Sequence, residues 1–266
     1  MGTYIHGYLE EEQKRLLEQA GFLNSLIYPW IDLSQSKNLL EIGSGVGGQT
    51  RILLEKFPEL SITCVEIEAR QLAQAKHNLS KFQDRNVELI QQDASQLQVD
   101  KKFDSAFICW VLEHISQPQN VLERIFSHLE SGAIIYVTEV FNSSFQFFPK
   151  LQGLTEYYQA YNSFQIQHGG NPDIGLQLGN LLHQAGFEKI ELITGGFHLD
   201  QSQPEKLKLM TDYWKSLMLS SAAEMVDSGI IENTLVKRME SDLDKLATDS
   251  KAVFFYQFIQ AKAFKP

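Results

Sequence analysis

The residues with the clearest chemical potential lie in LLEIGSGVGGQT, positions 39–50. An apolar run enters a glycine-rich turn there and leaves it as a helix. Glycines let the backbone turn sharply and approach a ligand, and the helix start points N–H groups at it. Gly43, Gly45 and Gly48 satisfy G-x-G-x-x-G. Glu66 follows about 20 residues later, where an acid holds a ribose diol. On this pattern alone the reading is a nicotinamide-dependent oxidoreductase.

Two further acids favour a different ligand. Glu41 lies two residues before the first glycine, inside the strand. A carboxylate there repels a diphosphate and suits a cation. IQQDAS places Asp93 at the carboxyl end of a later strand. Ligands of open α/β sheets bind outside those strand ends, so Glu41, Glu66 and Asp93 are expected to border one crevice. Three carboxylates with no compensating Lys or Arg suit a ligand carrying a sulfonium, an amine and sugar hydroxyls, which describes S-adenosylmethionine.

The elements that must position these groups follow from periodicity. Residues 8–27 place Leu9, Leu16, Leu17, Ala20, Leu23, Leu26 and Ile27 largely at three- and four-residue spacings. They predict an amphipathic helix with EEEQKR mostly on its wet face. From 38 to 140 short apolar runs at 38–42, 61–66, 87–91, 104–109 and 133–138 alternate with helical stretches at 47–56, 69–82 and 119–129. That rhythm means βαβ units, a parallel sheet and five buried strands. After Val140 the rhythm breaks into an aromatic-dense stretch at 141–165 and an HGGNP turn at 168–172. A helix at 176–185, a strand at 187–193, a wholly helical 204–247 and a final strand at 252–264 complete the chain. Cys64 and Cys109 sit in strand-like runs and read as reduced core thiols.

Four segments in order, LLEIGSGVGGQT, VEIEARQLAQAKHN, QQDASQL and FDSAFICWVLEHI, make the chain resemble the class I S-adenosylmethionine-dependent methyltransferases. The resemblance covers about 40–140, and AGFEKIEL with the late strand fits the family's remaining elements. It implies a Rossmann-like, seven-stranded mixed α/β sheet with the late strand inserted antiparallel. Helical cap segments would come from 1–37, 141–175 and 200–250, with 38–140, 176–199 and 251–266 forming the core. By position, Gly43, Ser44 and Gly45 would line the methionine end of the cofactor, with Glu41 near its amino group. Glu66 would accept the ribose hydroxyls and Ile67 would pack on adenine. Asp93 would bind the adenine amino group with Ala94 beside it, and Cys109 and Trp110 would border the methionine part. The family's commoner ribose acid is Asp, and Glu68 competes with Glu66 for the assignment.

Methyl transfer needs alignment more than a catalytic triad, because a sulfonium is already activated. His114 is the candidate base for an acceptor that arrives protonated. Tyr4, Tyr8, Glu139, Phe141, Tyr157 and His168 are candidate acceptor contacts, and the aromatic stretch suggests an apolar or aromatic small molecule. No metal-ligand cluster is visible. With 33 acidic and 23 basic side chains the net charge is −10. Nucleic acid is disfavoured on that balance, as it is by CWVLEHI standing where amino-group nucleic-acid methyltransferases carry Asn/Asp-Pro-Pro-aromatic. No apolar run reaches the ~20 residues of a membrane helix, and the N-terminus lacks a signal peptide, so a cytoplasmic protein is expected. A homo-oligomer and a non-catalytic S-adenosylmethionine-binding protein both remain open at this level.

Overall fold

Short apolar runs separated by amphipathic segments bury most of their surface when helices cover both faces of a parallel sheet. The computed structural model describes residues 5–7 and 10–266. In chain order its main elements are α1 (Glu10–Ile27), β1 (Asn38–Ile42), α2 (Gly48–Lys56), β2 (Ser61–Glu66), α3 (Ala69–Asn78), β3 (Val87–Gln91), β4 (Phe103–Cys109), α4 (Pro118–His128), β5 (Leu129–Phe148), α5 (Gln152–Gln167), α6 (Leu178–Gln184), β6 (Glu188–Asp200), α7 (Pro204–Ser220), α8 (Ala222–Asp227), α9 (Asn233–Thr248) and β7 (Val253–Phe264). The strands form one sheet in the order β3-β2-β1-β4-β5-β7-β6. β1 to β5 pair in parallel, and β7 lies antiparallel between β5 and β6. This is the expected mixed sheet with its late strand reversed.

Strand order reverses between β1 and β4. The chain steps outward from β1 to β2 and β3, then returns to place β4 on the other side of β1. Helices that follow β1 and β4 must leave in opposite directions, so a crevice opens above their carboxyl ends. One core layer joins Val121, Leu122 and Ile125 of α4 and Leu178, Leu181 and Leu182 of α6 to Leu40, Ile42 and Ile135. The other joins Ala20, Leu23 and Ile27 of α1 and Ile52 to Leu54 of α2 to Leu39 and Ile62, and continues into α5, α7 and α9.

Five expectations are corrected. β3 is only half-buried, because it is the sheet's outer strand and has a single neighbour. The aromatic stretch does not end the sheet at 140, since β5 runs to Phe148. Gln146, Phe147 and Phe148 pair with Phe255, Phe254 and Val253 beyond an irregularity that starts after Phe141. β6 likewise continues to Asp200, so β5, β7 and β6 rise past the other strands and carry aromatics into the cap. Residues 204–247 are three helices rather than one run, with a break at 228–232 where Gly229 takes a left-handed φ of 72°. Finally, Glu12 and Arg15 are not on a wet face of α1. Both are buried and bind each other, Arg15 Nε and one terminal nitrogen donating to the Glu12 oxygens at 2.7 and 2.6 Å.

Candidate functional site

Above the β1–β4 reversal lies a cavity of about 790 Å³. That is the size of a site holding one or two drug-sized ligands. Its floor is built by the turn after β1. Gly43 and Gly45 take φ values of 67° and 51°, a region that disfavours any side chain. A Cβ on Gly43 would lie 2.4 Å from Val111 Cγ2. The turn is pinned to the next strand by the Gly43 and Ser44 N–H groups, which donate to Val65 O at 2.8 and 3.3 Å.

Glu66, at the end of β2, reinforces that pin. One carboxylate oxygen accepts from the Gly45 N–H at 2.9 Å and the other from the Glu68 N–H at 3.0 Å. Each oxygen keeps acceptor capacity for a diol. Burial raises the Glu66 carboxyl above its ordinary range, and the backbone donors oppose that rise. Glu68 turns away to cap α3, accepting from Arg70 N–H at 3.1 Å, although its residue also borders the cavity. Asp93 caps the short turn after β3, accepting from the Ser95 N–H at 2.8 Å. Ile67 stands between these acids, 47% exposed, a flat apolar surface at the cavity mouth. Across the crevice Cys109 ends β4 and Trp110 follows it, and Trp110 holds a left-handed φ of 55°. A bulky residue in that conformation is strained and persists only when its surroundings hold it.

Glu139 supplies the hold. It is fully buried on β5 and accepts from the N–H groups of Val111, Leu112 and Glu113 at 3.0, 2.7 and 3.3 Å. Burial pushes its carboxyl up to about 8, helped by the Glu113 charge and opposed by the three donors. Glu41 is buried and is not on the cavity lining. It accepts from Thr50 Oγ1 at 2.7 Å and from Cys64, its partner in the β1–β2 register, and burial pushes it up to about 7. Its expected role as a charge beside the ligand is therefore corrected to one of tying β1 to α2.

Gly43, Ser44, Gly45, Glu66, Ile67, Asp93, Ala94, Cys109, Trp110 and His114 thus line one cavity. Cys109 is a wall residue as well as a strand thiol. Phe141, Tyr157 and His168 are not on its lining. The fully buried Tyr157 donates its hydroxyl proton to Met218 O at 2.6 Å. His168 sits half-buried at the end of α5, bonded through Nδ1 to Phe164 O at 2.9 Å. Tyr4 and Tyr8 lie outside the described residues.

The second half of the cavity comes from His6, which lies in the N-terminal segment expected to complete the acceptor pocket, and from residues the sequence did not single out as site contacts: Tyr158, Tyr161, Trp214, Tyr256 and Phe258. Tyr158 and Tyr161 belonged to the aromatic stretch. Tyr256 and Phe258 carried a signal too, since period-two alternation in β7 puts both on one face. His6 bonds Ser220 Oγ through Nδ1 at 2.5 Å and Tyr161 Oη through Nε2 at 3.2 Å, joining the N-terminal segment to α7 and α5. Its ring packs edge-on against His114 with centroids 5.7 Å apart. Burial lowers both imidazoles below their ordinary pKa, so both are neutral at pH 7. Glu113 lies 3.7 Å from His114 Nε2 and accepts from Gln165 Nε2 at 2.8 Å. Among the described residues no group of His, Cys, Asp and Glu is placed to hold a metal ion, and no helix is long and apolar enough to cross a membrane.

Known proteins carry the same framework. Residues 40–135 match a family model described as a methyltransferase domain. A malonyl-[acyl-carrier protein] O-methyltransferase of Paenibacillus sp. (strain JDR-2) is 29% identical over 159 residues, covering 57% of this chain and 55% of that protein. Methyltransferase str3 of Strobilurus tenacellus is 27% identical over 184 residues, covering 65% and 62%. The chain spans about half the length of several of the curated relatives it matches. Among solved structures, phosphoethanolamine N-methyltransferase 2 of Haemonchus contortus, bound to phosphomonomethylethanolamine and S-adenosylhomocysteine, superposes with a TM-score of 0.61 at 17% identity, covering 99% of this chain and 60% of that one. The [4+2]-cyclase SpnF superposes with a TM-score of 0.53 at 19% identity, covering 93% and 79%. These likenesses are of fold, and one fold hosts several chemistries.

Proposed function

We propose, from the premise that the chain belongs to the class I S-adenosylmethionine-dependent methyltransferases, that it transfers a methyl group to a small acceptor with apolar or aromatic surface. One observation carries this reading. The crevice at the strand reversal brings the Gly43–Gly45 turn, Glu66, Asp93 and Trp110 into the same cavity as an aromatic chamber. The donor set fits the cofactor: a close-approach glycine turn for its amino-acid end, a carboxylate with spare lone pairs for its diol, and an exposed Ile67 for its base.

When bound, S-adenosylmethionine supplies an activated methyl group. The chain's own residues then do the remaining work. Glu66 orients the ribose, Ile67 and Asp93 hold the adenine, and the Gly43–Gly45 backbone with Trp110 fixes the methionine end. The aromatic walls exclude water and align the acceptor, which is the main requirement for an in-line displacement. His114, neutral and half-buried beside Glu113, takes a proton from an acceptor that arrives protonated, and Glu113 stabilises the imidazolium that results.

Calorimetric titration of the full chain separates this reading from a dinucleotide enzyme. S-Adenosylhomocysteine is expected to bind and NADH is not; the opposite result removes the proposal. A second expectation concerns the turn. Gly43→Ala adds roughly 1–2 kcal/mol of backbone strain at positive φ and forces Val111 to move. It should weaken S-adenosylhomocysteine binding at least tenfold while lowering the thermal midpoint by only a few degrees, as read by calorimetry and a thermal melt.

A further inference from the structure

The acceptor half of the cavity is lined by a continuous aromatic wall. Tyr158 stacks on Tyr161 with centroids 6.1 Å apart, Trp214 lies 6.3 Å from Tyr158, and Tyr256 meets Trp214 edge-on at 4.9 Å. Trp110 and Phe258 form a second edge-on pair at 6.2 Å. The phenol protons of this wall already have partners within the protein. Tyr158 donates to Asn142 O at 3.1 Å and Tyr256 to Asn142 Oδ1 at 3.0 Å, while Tyr161 bonds His6. What the wall offers a ligand is therefore ring surface and the Trp214 indole N–H, which has no hydrogen-bond partner among the described residues.

Charge around the same space is one-sided. Among the described lining residues, Glu66, Glu68, Asp93 and Glu113 are acids, and the basic side chain is Arg15. Arg15 is bound through two nitrogens by the buried Glu12, so the pair brings little net charge to the cavity. His6 and His114 are neutral at pH 7. One sulfonium at the cofactor end leaves carboxylate charge unanswered, and Glu113 lies on the acceptor side against α5. An anionic acceptor would meet repulsion here and find no uncommitted cation among the described lining residues. A cation would meet ring faces and a carboxylate, the two groups that bind ammonium ions in low dielectric.

We infer that the acceptor is an amine, recognised as its ammonium ion by the Tyr158–Tyr161–Trp214–Tyr256 wall and Glu113. This inference rests on the methyl-transfer reading and specifies its substrate class. For transfer, the ammonium gives its proton to His114. The freed nitrogen lone pair then forms the N–C bond to the methyl group, and the pair of the broken S–C bond stays on sulfur.

The test compares three probes of similar shape on the full chain saturated with S-adenosylhomocysteine: phenyltrimethylammonium, its neutral isostere tert-butylbenzene, and benzoate. Binding is read by calorimetry, with no turnover required. The cation is expected to bind about tenfold more tightly than the neutral isostere and more tightly still than the anion. Trp214→Leu and Glu113→Gln should each reduce that preference, and the isosteric glutamine keeps the test sound where loss of Trp214 prevents folding. Equal or tighter binding of tert-butylbenzene or benzoate to the wild-type chain overturns the amine assignment alone. Failure of S-adenosylhomocysteine to saturate the chain in the first titration instead removes the cofactor reading, and the amine assignment with it.

Discussion

Alanine at Asp93 or at Glu66 weakens S-adenosylhomocysteine binding by about 1–3 kcal/mol each, the cost of leaving bound polar groups of the ligand without a partner. The two acids sit on different loops, after β3 and at the end of β2, and contact opposite ends of one nucleoside in the proposed pose. Their effects should therefore be close to additive. Glu66→Ala carries an added penalty that Asp93→Ala lacks. It strips the acceptor from the Gly45 N–H, so the glycine turn loosens as well as losing its diol partner. Asp93→Ala frees only the Ser95 N–H, at a half-buried turn open to water. Isothermal calorimetry on both variants measures the two costs, and unchanged affinity in both would dismiss the site assignment.

Glu139→Gln should markedly alter the pH dependence of stability. Glu139 has an ordinary carboxyl value of 4.5 that burial raises to about 8 in the folded chain. Between those values the folded state holds a proton that the unfolded state has released. Stability from this group is therefore complete below about pH 4.5 and declines as pH rises to about 8. The full shift sets an upper bound of about 5 kcal/mol. Glu41, raised to about 7, acts in the same direction over a narrower window. His6 and His114 act oppositely at lower pH, because their depressed values make the folded chain gain stability as pH rises toward 6.5. Comparing the variant with wild type cancels those histidines. Urea unfolding at pH 5, 7 and 9 should show the stability of Glu139→Gln relative to wild type increasing with pH by several kcal/mol. A difference that stays constant across the three pH values would mean that Glu139 is ionised in the fold.

Glu139 also shows how a motif read as a contact becomes a support. Its place at the end of an apolar run beside the cap suggested an acceptor ligand. In the fold three consecutive backbone N–H groups converge on it, and through them it holds Trp110 in a strained conformation at the cavity wall.

What the sequence by itself determined is local. Short apolar runs punctuated by glycine and polar turns set β1, β2 and β3 to the residue, because a short apolar or β-branched run bounded by turn residues leaves a compact signature whether both of its faces are covered or not. The glycine turn and the acids after β2 and β3 were legible for the same reason: each needs only a strand end and the residues beside it. The tertiary structure decided everything that depends on which surface meets which. Alternation assigns Glu41 to one face of β1 but does not say that Thr50 and Cys64 wait there rather than a ligand. A run of phenylalanines reads equally as cap or strand until β7 provides 253–255 as a pairing partner for β5. Helical periodicity put Arg15 toward water, and only the packing of α7 against α1 buries it with Glu12. The chamber itself is a concavity between residues 6, 110, 158, 214 and 256, which no window of sequence contains. A cavity is made by the gaps that packed elements leave between them, and those gaps exist only once the elements have met.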